Sequence, residues 1–335
     1  MSTTESSLSG TFDEPPLGGT AERPGKINAR PVSHPGRWIA VAIIAVLVAM
    51  MINSFVTNDK WDWEFVLRVM NYNPVLGGLI KGTIVVTVVS MVIGIVLGVI
   101  VAVMRLSENP VLRGVAFAFT WFFRAVPRYV LLVMLSVGLL TLYPHLDFGV
   151  PFSKEIGHLF GMSDGLTFYT LDVKQISSGI TVGIIGLGLS EAAYMAEIAR
   201  AGIQSVDPGQ NEAAQALGMS RGKTMRRIVL PQAMRVIVPP TGNETIAMVK
   251  DTSLLNAVPV SAELFFQAQQ VANTTYLIMP AYVAAVAWYL IVCSVLMIFQ
   301  SRLERRFGRG FGGRGGSRPG FRAKMLSFRG GSGGM

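Results

Sequence analysis

The chain has 335 residues, of which 51% are hydrophobic and only 15% charged, with a mean hydropathy of +0.47 and a formal net charge of +9. A soluble protein carries roughly a quarter charged residues, so the deficit points to a chain whose solvent is largely lipid. A single cysteine, Cys293, excludes a disulfide framework or a Cys-rich metal site. The histidines, His34, His145 and His158, all lie outside the apolar runs, which argues against a metal or proton-relay site at membrane depth.

Residues 1–37 are rich in Ser, Thr, Gly and Pro with both signs of charge, a composition that predicts a disordered tail. The run Trp38–Ile52 follows Arg37 and predicts a first membrane helix over 38–56. A 37-residue polar leader without a small-residue cleavage site makes it an anchor rather than a secretory signal. Thr83–Met104 is uncharged and bracketed by Lys81 and Arg105. Some 20 apolar residues at about 1.5 Å each cross the hydrocarbon layer, and Gly94 with Gly98 forms a small-xxx-small pair that permits close helix approach. A second apolar run, Val115–Tyr143, is interrupted by Arg124, Pro127 and Arg128. A polar stretch at 144–176 separates it from a segment at 179–202 that carries Glu191 and Glu197. After a polar loop, 203–231, come a shorter apolar segment at 235–250 and the uncharged run Leu264–Ser301, with a span at 278–300. The tail is basic and Gly-rich, and 306–335 reads as disordered.

Positive charge resists translocation. Residues 1–37, 105–113, 200–235 and 302–335 hold 21 of the 29 Lys and Arg residues, so they share one side, the cytoplasm. The charge therefore reads as a topology signal rather than a nucleic-acid footprint. The expected fold is an all-α integral membrane protein of about six transmembrane helices with both termini cytoplasmic.

The 207–231 loop is the most specific segment. Asp207 and Pro208 make an N-cap and first-turn pair, and the Ala- and Gln-rich stretch after them predicts a short helix ending at Gly218. Ser220 can cap a second helix bearing Lys223, Arg226 and Arg227, interrupted by Pro231. Gly218 to Thr224 imitates a phosphate-binding loop, but one residue is missing before the second glycine and no strand precedes it. Glu212, Ala213 and Ala214, then Gly218, then Ile228, Leu230 and Pro231, resemble the EAA loop of bacterial ABC-importer permeases.

That resemblance covers 75–305, the expected permease domain of five core helices, with the 38–56 helix added before it. It implies that the loop is a coupling helix docking on a separate cytoplasmic ATPase. It also implies a second permease, the same or a sister chain, and an extracytoplasmic solute-binding protein in the bacterial cytoplasmic membrane. No cofactor is expected in this chain, ATP-Mg belonging to the partner ATPase. Phe122-Phe123-Arg124-Ala125-Val126-Pro127, Ala193–Arg200 and Val249–Leu254 resemble the polar amino acid branch, with a departure at Ala125-Val126.

Charged groups inside a bilayer are costly and are functional candidates. Arg124, Glu191 and Glu244 each fall about 9 to 12 residues into their segments, roughly 14–18 Å deep. With Asn243 they form the candidate substrate pathway; the alternative is that Arg124 simply neutralises a glutamate. Glu197 has Arg200 three residues on, the spacing of a structural pair. Lys250, Asp251, Thr252 and Ser253 are a candidate outer gate or an ordinary solvated helix end. Acidic residues near the pathway favour a cationic amino acid, while Arg124 with Arg128 favours an acidic one. No internal repeat of the kind secondary transporters show, and no convergent catalytic group, supports either rival class.

Overall fold

The computed structural model describes residues 35–149, 167–173, 179–258 and 262–307. The tails expected at 1–37 and 306–335 lie almost wholly outside these residues, as does much of the polar stretch 144–176.

The chain divides into two units, the first ending at Asn58. Its helix α1 (Pro35–Thr57) is apolar along its whole length and buries no residue within the chain, the condition of a helix solvated by lipid.

The second unit begins with α2 (Trp63–Met70), capped by Asp62, whose carboxylate accepts from Phe65 N at 2.9 Å. The long α3 (Asn73–Arg105) contains a wide π turn at Gly78–Ile84. Then come α4 (Pro110–Ala125) and α5 (Arg128–Gly138), bent by 102° at the break between them. After a hairpin follow α6 (Ile180–Gln204), the short α7 (Pro208–Ala216), α8 (Leu230–Asp251), α9 (Leu264–Thr275) and α10 (Ile278–Phe307).

The helix α6 is the interior of this unit. Its most apolar window is 67% buried, against 11% for α10, so α10 faces lipid where α6 faces protein. Hydrophobicity does not drive helices together in a membrane; close packing does. A Cβ at Gly94 would stand 2.6 Å from Glu191 Cγ, and one at Gly98 would stand 2.5 Å from Met195 Cβ. The glycine pair seen in the sequence thus sets the approach of α3 to α6. Val101, Ala116 and Ala196 join α3, α4 and α6, and Val86, Leu132, Leu187 and Met248 join α3, α5, α6 and α8. A third cluster joins Val66 and Val69 of α2 to Leu264, Ala268 and Ala284.

Glu263, wholly buried, caps α9. Its carboxylate accepts from Phe265 N at 2.7 Å, Phe266 N at 3.1 Å, Thr83 Oγ1 at 3.0 Å and Tyr289 Oη at 2.5 Å. Four donors keep one buried charge satisfied and tie α9 to α3 and α10.

Two local details depart from expectation. The fold is helical, as expected, with one addition: β1 (His145–Gly149) pairs antiparallel with β2 (Thr167–Asp172) inside the polar stretch. Among the described residues, four helices, or five if the bent pair is one span, are long and apolar enough to cross a membrane, close to the six expected. The segment expected at 235–250 is α8, whose 22 residues are long enough but include Thr241, Asn243, Glu244 and Thr245. Pro231 does not interrupt a helix. The helical run continues from Arg221 through a π turn at Met225–Val229 into α8, and this wide turn just before the proline accommodates its ring and missing N–H.

Packing this close leaves no room for a side chain on α3. Gly98→Val will destabilise the unit by about 1–3 kcal/mol, read as a lower melting temperature in nanodiscs. Gly114→Ala, which meets nothing within 4 Å, will melt like the unaltered protein. Equal melting of all three would overturn this account of the α3–α6 contact.

Candidate functional site

Two sites emerge, one charged and deep, one small-residue and at a helix end. The first begins at the bend. Pro127 lacks an N–H, and the residue before a proline is pushed to extended backbone. Val126 accordingly has ψ 127° and ends α4, and Pro127, at ψ 132°, leads into α5. The bend places Arg128 at the first position of α5, where its guanidinium meets α6 and α8 together. Its Nη2 donates to Glu191 Oε2 at 3.1 Å and stands 3.8 Å from Glu244 Oε2, while its Nη1 donates to Asp251 Oδ2.

Glu191 is completely buried, while the Glu244 and Asp251 side chains are 26% and 30% exposed. One guanidinium thus faces three carboxyl groups. Moreover, Glu191 Oε1 is buried without a hydrogen-bond partner. Tyr194, one turn after Glu191, lies 4.9 Å from Arg128 Cζ and 5.6 Å from Arg124 Cζ, measured to its ring centroid. Such cation–π contacts hold both guanidinium groups against the one ring, Arg128 alone also meeting the carboxylates.

The alternative reading, in which Arg124 neutralises a glutamate, is not the arrangement found. Arg124 does not neutralise Glu191 or Glu244; Arg128 does, and Arg124, exposed, stacks on Tyr194. Of the four pathway candidates, Glu191 and Glu244 converge on Arg128 and Arg124 lies one ring away. Asn243 goes elsewhere, accepting from Gln300 Nε2 at 2.8 Å. Among the gate candidates, Asp251 belongs to the charged cluster. The hydroxyls of Thr252 and Ser253 donate to Val249 O and Lys250 O at 2.8 and 2.7 Å, the bonds of an ordinary helix end, and Lys250 is exposed. Glu197 forms the expected pair with Arg200 at 2.7 Å and a second with Arg105 at 3.2 Å, tying α6 to α3. Sequence reasoning missed the roles of Arg128, Tyr194 and Glu263. Only Arg128 gave a signal: a second arginine directly after the helix-breaking Pro127.

The second site is the loop around α7. Asp207 caps the helix, accepting from Gly209 N at 2.7 Å. Gly218, at φ 70°, ends it in a Schellman arrangement: Gly218 N donates to Gln215 O and Met219 N to Ala214 O. Ala214 is buried, whereas Glu212, Ala213 and Leu217 are exposed. Beyond the turn, Ile228 is half-buried, and Leu230 and Pro231 are exposed. Between them Val229 packs with Val206 and Ala233, joining the loop to the end of α6 and the start of α8.

Residues 94–309 match the family described as "Binding-protein-dependent transport system inner membrane component". The arginine transport system permease protein ArgU of Corynebacterium glutamicum is 43% identical over 88% of this chain and 87% of its own length. The probable amino-acid permease protein YxeN of Bacillus subtilis is 32% identical over 74% of this chain and 96% of its own. A crystal structure of an amino acid ABC transporter with histidines aligns with 72% of this chain and 98% of that chain, at 31% identity and a TM-score of 0.57. The chain belongs to the family of binding-protein-dependent transport system inner membrane components.

Proposed function

We propose that this chain is the permease through which a cationic amino acid enters the cell, driven by a separate ATPase. The observation that carries the reading is Arg128 among Glu191, Glu244 and Asp251, three carboxyl groups to one guanidinium with one buried oxygen unpartnered. A guanidinium or ammonium group suits that set, and Arg124 is left to meet the substrate's carboxylate. The relative named as an arginine permease supports the same class of substrate.

The loop supports the coupling. The 75–305 region is the permease domain, and α7 is the coupling helix, its exposed Glu212 and Ala213 presented to the ATPase. ATP-Mg binds and is hydrolysed on that partner. Val206, Val229 and Ala233 link α7 to α6 and α8, which carry Glu191, Glu244 and Asp251. A pull on the loop therefore moves the helices that hold the carboxylates, which is the mechanical requirement of alternating access. A solute-binding protein outside delivers the substrate, a second permease completes the path, and both termini face the cytoplasm.

Uptake of labelled amino acids by cells carrying the complete transporter tests each half. Glu212→Arg will abolish uptake at normal membrane levels, because reversing an exposed charge disturbs docking and leaves the spans inserted. Unchanged uptake would sink the coupling role of α7. Glu191→Gln keeps the shape of the side chain and removes its charge. Losing a charge-assisted hydrogen bond of roughly 1.5–3 kcal/mol will lower arginine and lysine uptake roughly tenfold or more relative to glutamine. Equal loss for all three substrates would assign Glu191 to structure alone and remove the argument for a cationic substrate.

A further inference from the structure

Another part of α8 plays no role in the charged site. Between α3, α6, α8 and the end of α10 lies a cleft of about 350 Å³. Ile95, Val99 and Val103 form one wall, Ile203 and Ile237 the other, and Leu303 borders it from α10. Val99 and Val103 are 50% and 59% exposed, so the cleft opens to the outside of the chain. An apolar cavity of roughly 150 Å³ stays dry and accepts benzene. A cleft more than twice that size with such walls fits a hydrocarbon chain.

The helical run that forms one wall turns cationic just beyond it. Gly222, Lys223, Arg226 and Arg227 line a hollow of about 500 Å³. Arg227, Arg226 and Lys223 precede Leu230, which lines the cleft, by three, four and seven residues of one helical run that includes the π turn at Met225–Val229. Along the axis they stand roughly 5–10 Å away. All three are exposed, and among the described residues none is paired with a carboxylate. Cation and hydrocarbon surface adjoin, as a ligand with an anionic head and an apolar tail requires.

We propose that an anionic glycerophospholipid occupies this pair of features, its phosphate on Lys223, Arg226 and Arg227 and one acyl chain in the cleft. The apolar wall selects a lipid over free phosphate, and cationic pockets between helices on the cytoplasmic side collect anionic headgroups. The inference rests on the membrane-spanning fold and on the loop facing the cytoplasm, and is independent of the substrate. Bound there, the lipid bridges α3, α6 and α8 at the ends closest to the coupling loop.

The complete transporter, permease with ATPase, is reconstituted in nanodiscs of equal phosphatidylcholine and phosphatidylglycerol, transferred to mild detergent, and its retained lipid counted by native mass spectrometry. The unaltered protein will retain phosphatidylglycerol over phosphatidylcholine roughly tenfold or more, and high salt will erase the preference. Lys223→Gln, Arg226→Gln and Arg227→Gln together will retain both lipids equally. Val99→Trp, a change at an exposed position that fills the cleft, will retain neither. Selection that is absent in the unaltered protein, or survives the triple change, overturns the proposal. If the triple variant does not accumulate, the salt titration decides, and a salt-insensitive preference overturns it. Less phosphatidylglycerol retained by the complete transporter than by the permease without its ATPase would give the hollow to the ATPase and overturn it equally. Because the readout is bound lipid rather than uptake, failure here leaves the transport reading standing.

Discussion

A guanidinium and a fully buried carboxylate can share the interior of an apolar bundle only as partners. Each alone would face a desolvation cost of several kcal/mol, and burying Glu191 without Arg128 would leave that charge uncompensated. The pair also fixes geometry. Arg128 reaches α6 and α8 because Pro127 ends one helix and starts another at 102° to it. The bend, the cation and the carboxylates are one construction, and moving the proline would separate all three.

The same construction depends on glycine. Gly94 lies directly against the Glu191 side chain, so α3 covers the carboxylate that Arg128 neutralises. A larger residue there would push α3 away and open Glu191 to its surroundings. Packing and electrostatics are thus coupled at a single contact. The small residues that let two helices approach in lipid also set how deeply the charge is buried.

Much of this was legible in the chain. The long apolar runs, the glycine pair, the Asp207 cap, the Gly218 stop and the Glu197–Arg200 pair are local features, governed by periodicity and capping, and each is present in the structure. What was not legible is long-range. Arg124 and Arg128 are equivalent in an apolar run until the direction of the bend is known, so the partner of Glu191 could not be chosen. Glu263 drew no expectation, because nothing in its neighbourhood indicates that Thr83 and Tyr289 will converge on it from distant helices. The hairpin was hidden because two short strands within a polar stretch carry little periodicity. Asp251 read as an outer gate or a helix end because its sequence position says so; its place as a fourth member of the cluster comes only from the packing of α8 on α5 and α6.

The polarity of α8 carries the reasoning one step further. It is the helix that fell short of the apolar criterion, yet it lies between two that meet it, α6 and α10. Its Asn243 is exposed and its Thr241, Glu244 and Thr245 are half-buried within the single chain. The Thr241 and Thr245 hydroxyls donate to Ile237 O and Thr241 O within the helix, but the partly exposed carboxyl groups of Glu244 and Asp251 remain, and charge facing hydrocarbon is costly, so the Glu244 side of α8 is unsuited to lipid. A water-filled path or another protein must meet it. The charged cluster opens on the same helix, through the exposed parts of Glu244 and Asp251. A second permease facing α8 would satisfy both requirements at once, covering the polar residues and enclosing the carboxylates in a path between two chains. That is the physical argument for reading this chain as half of a pore.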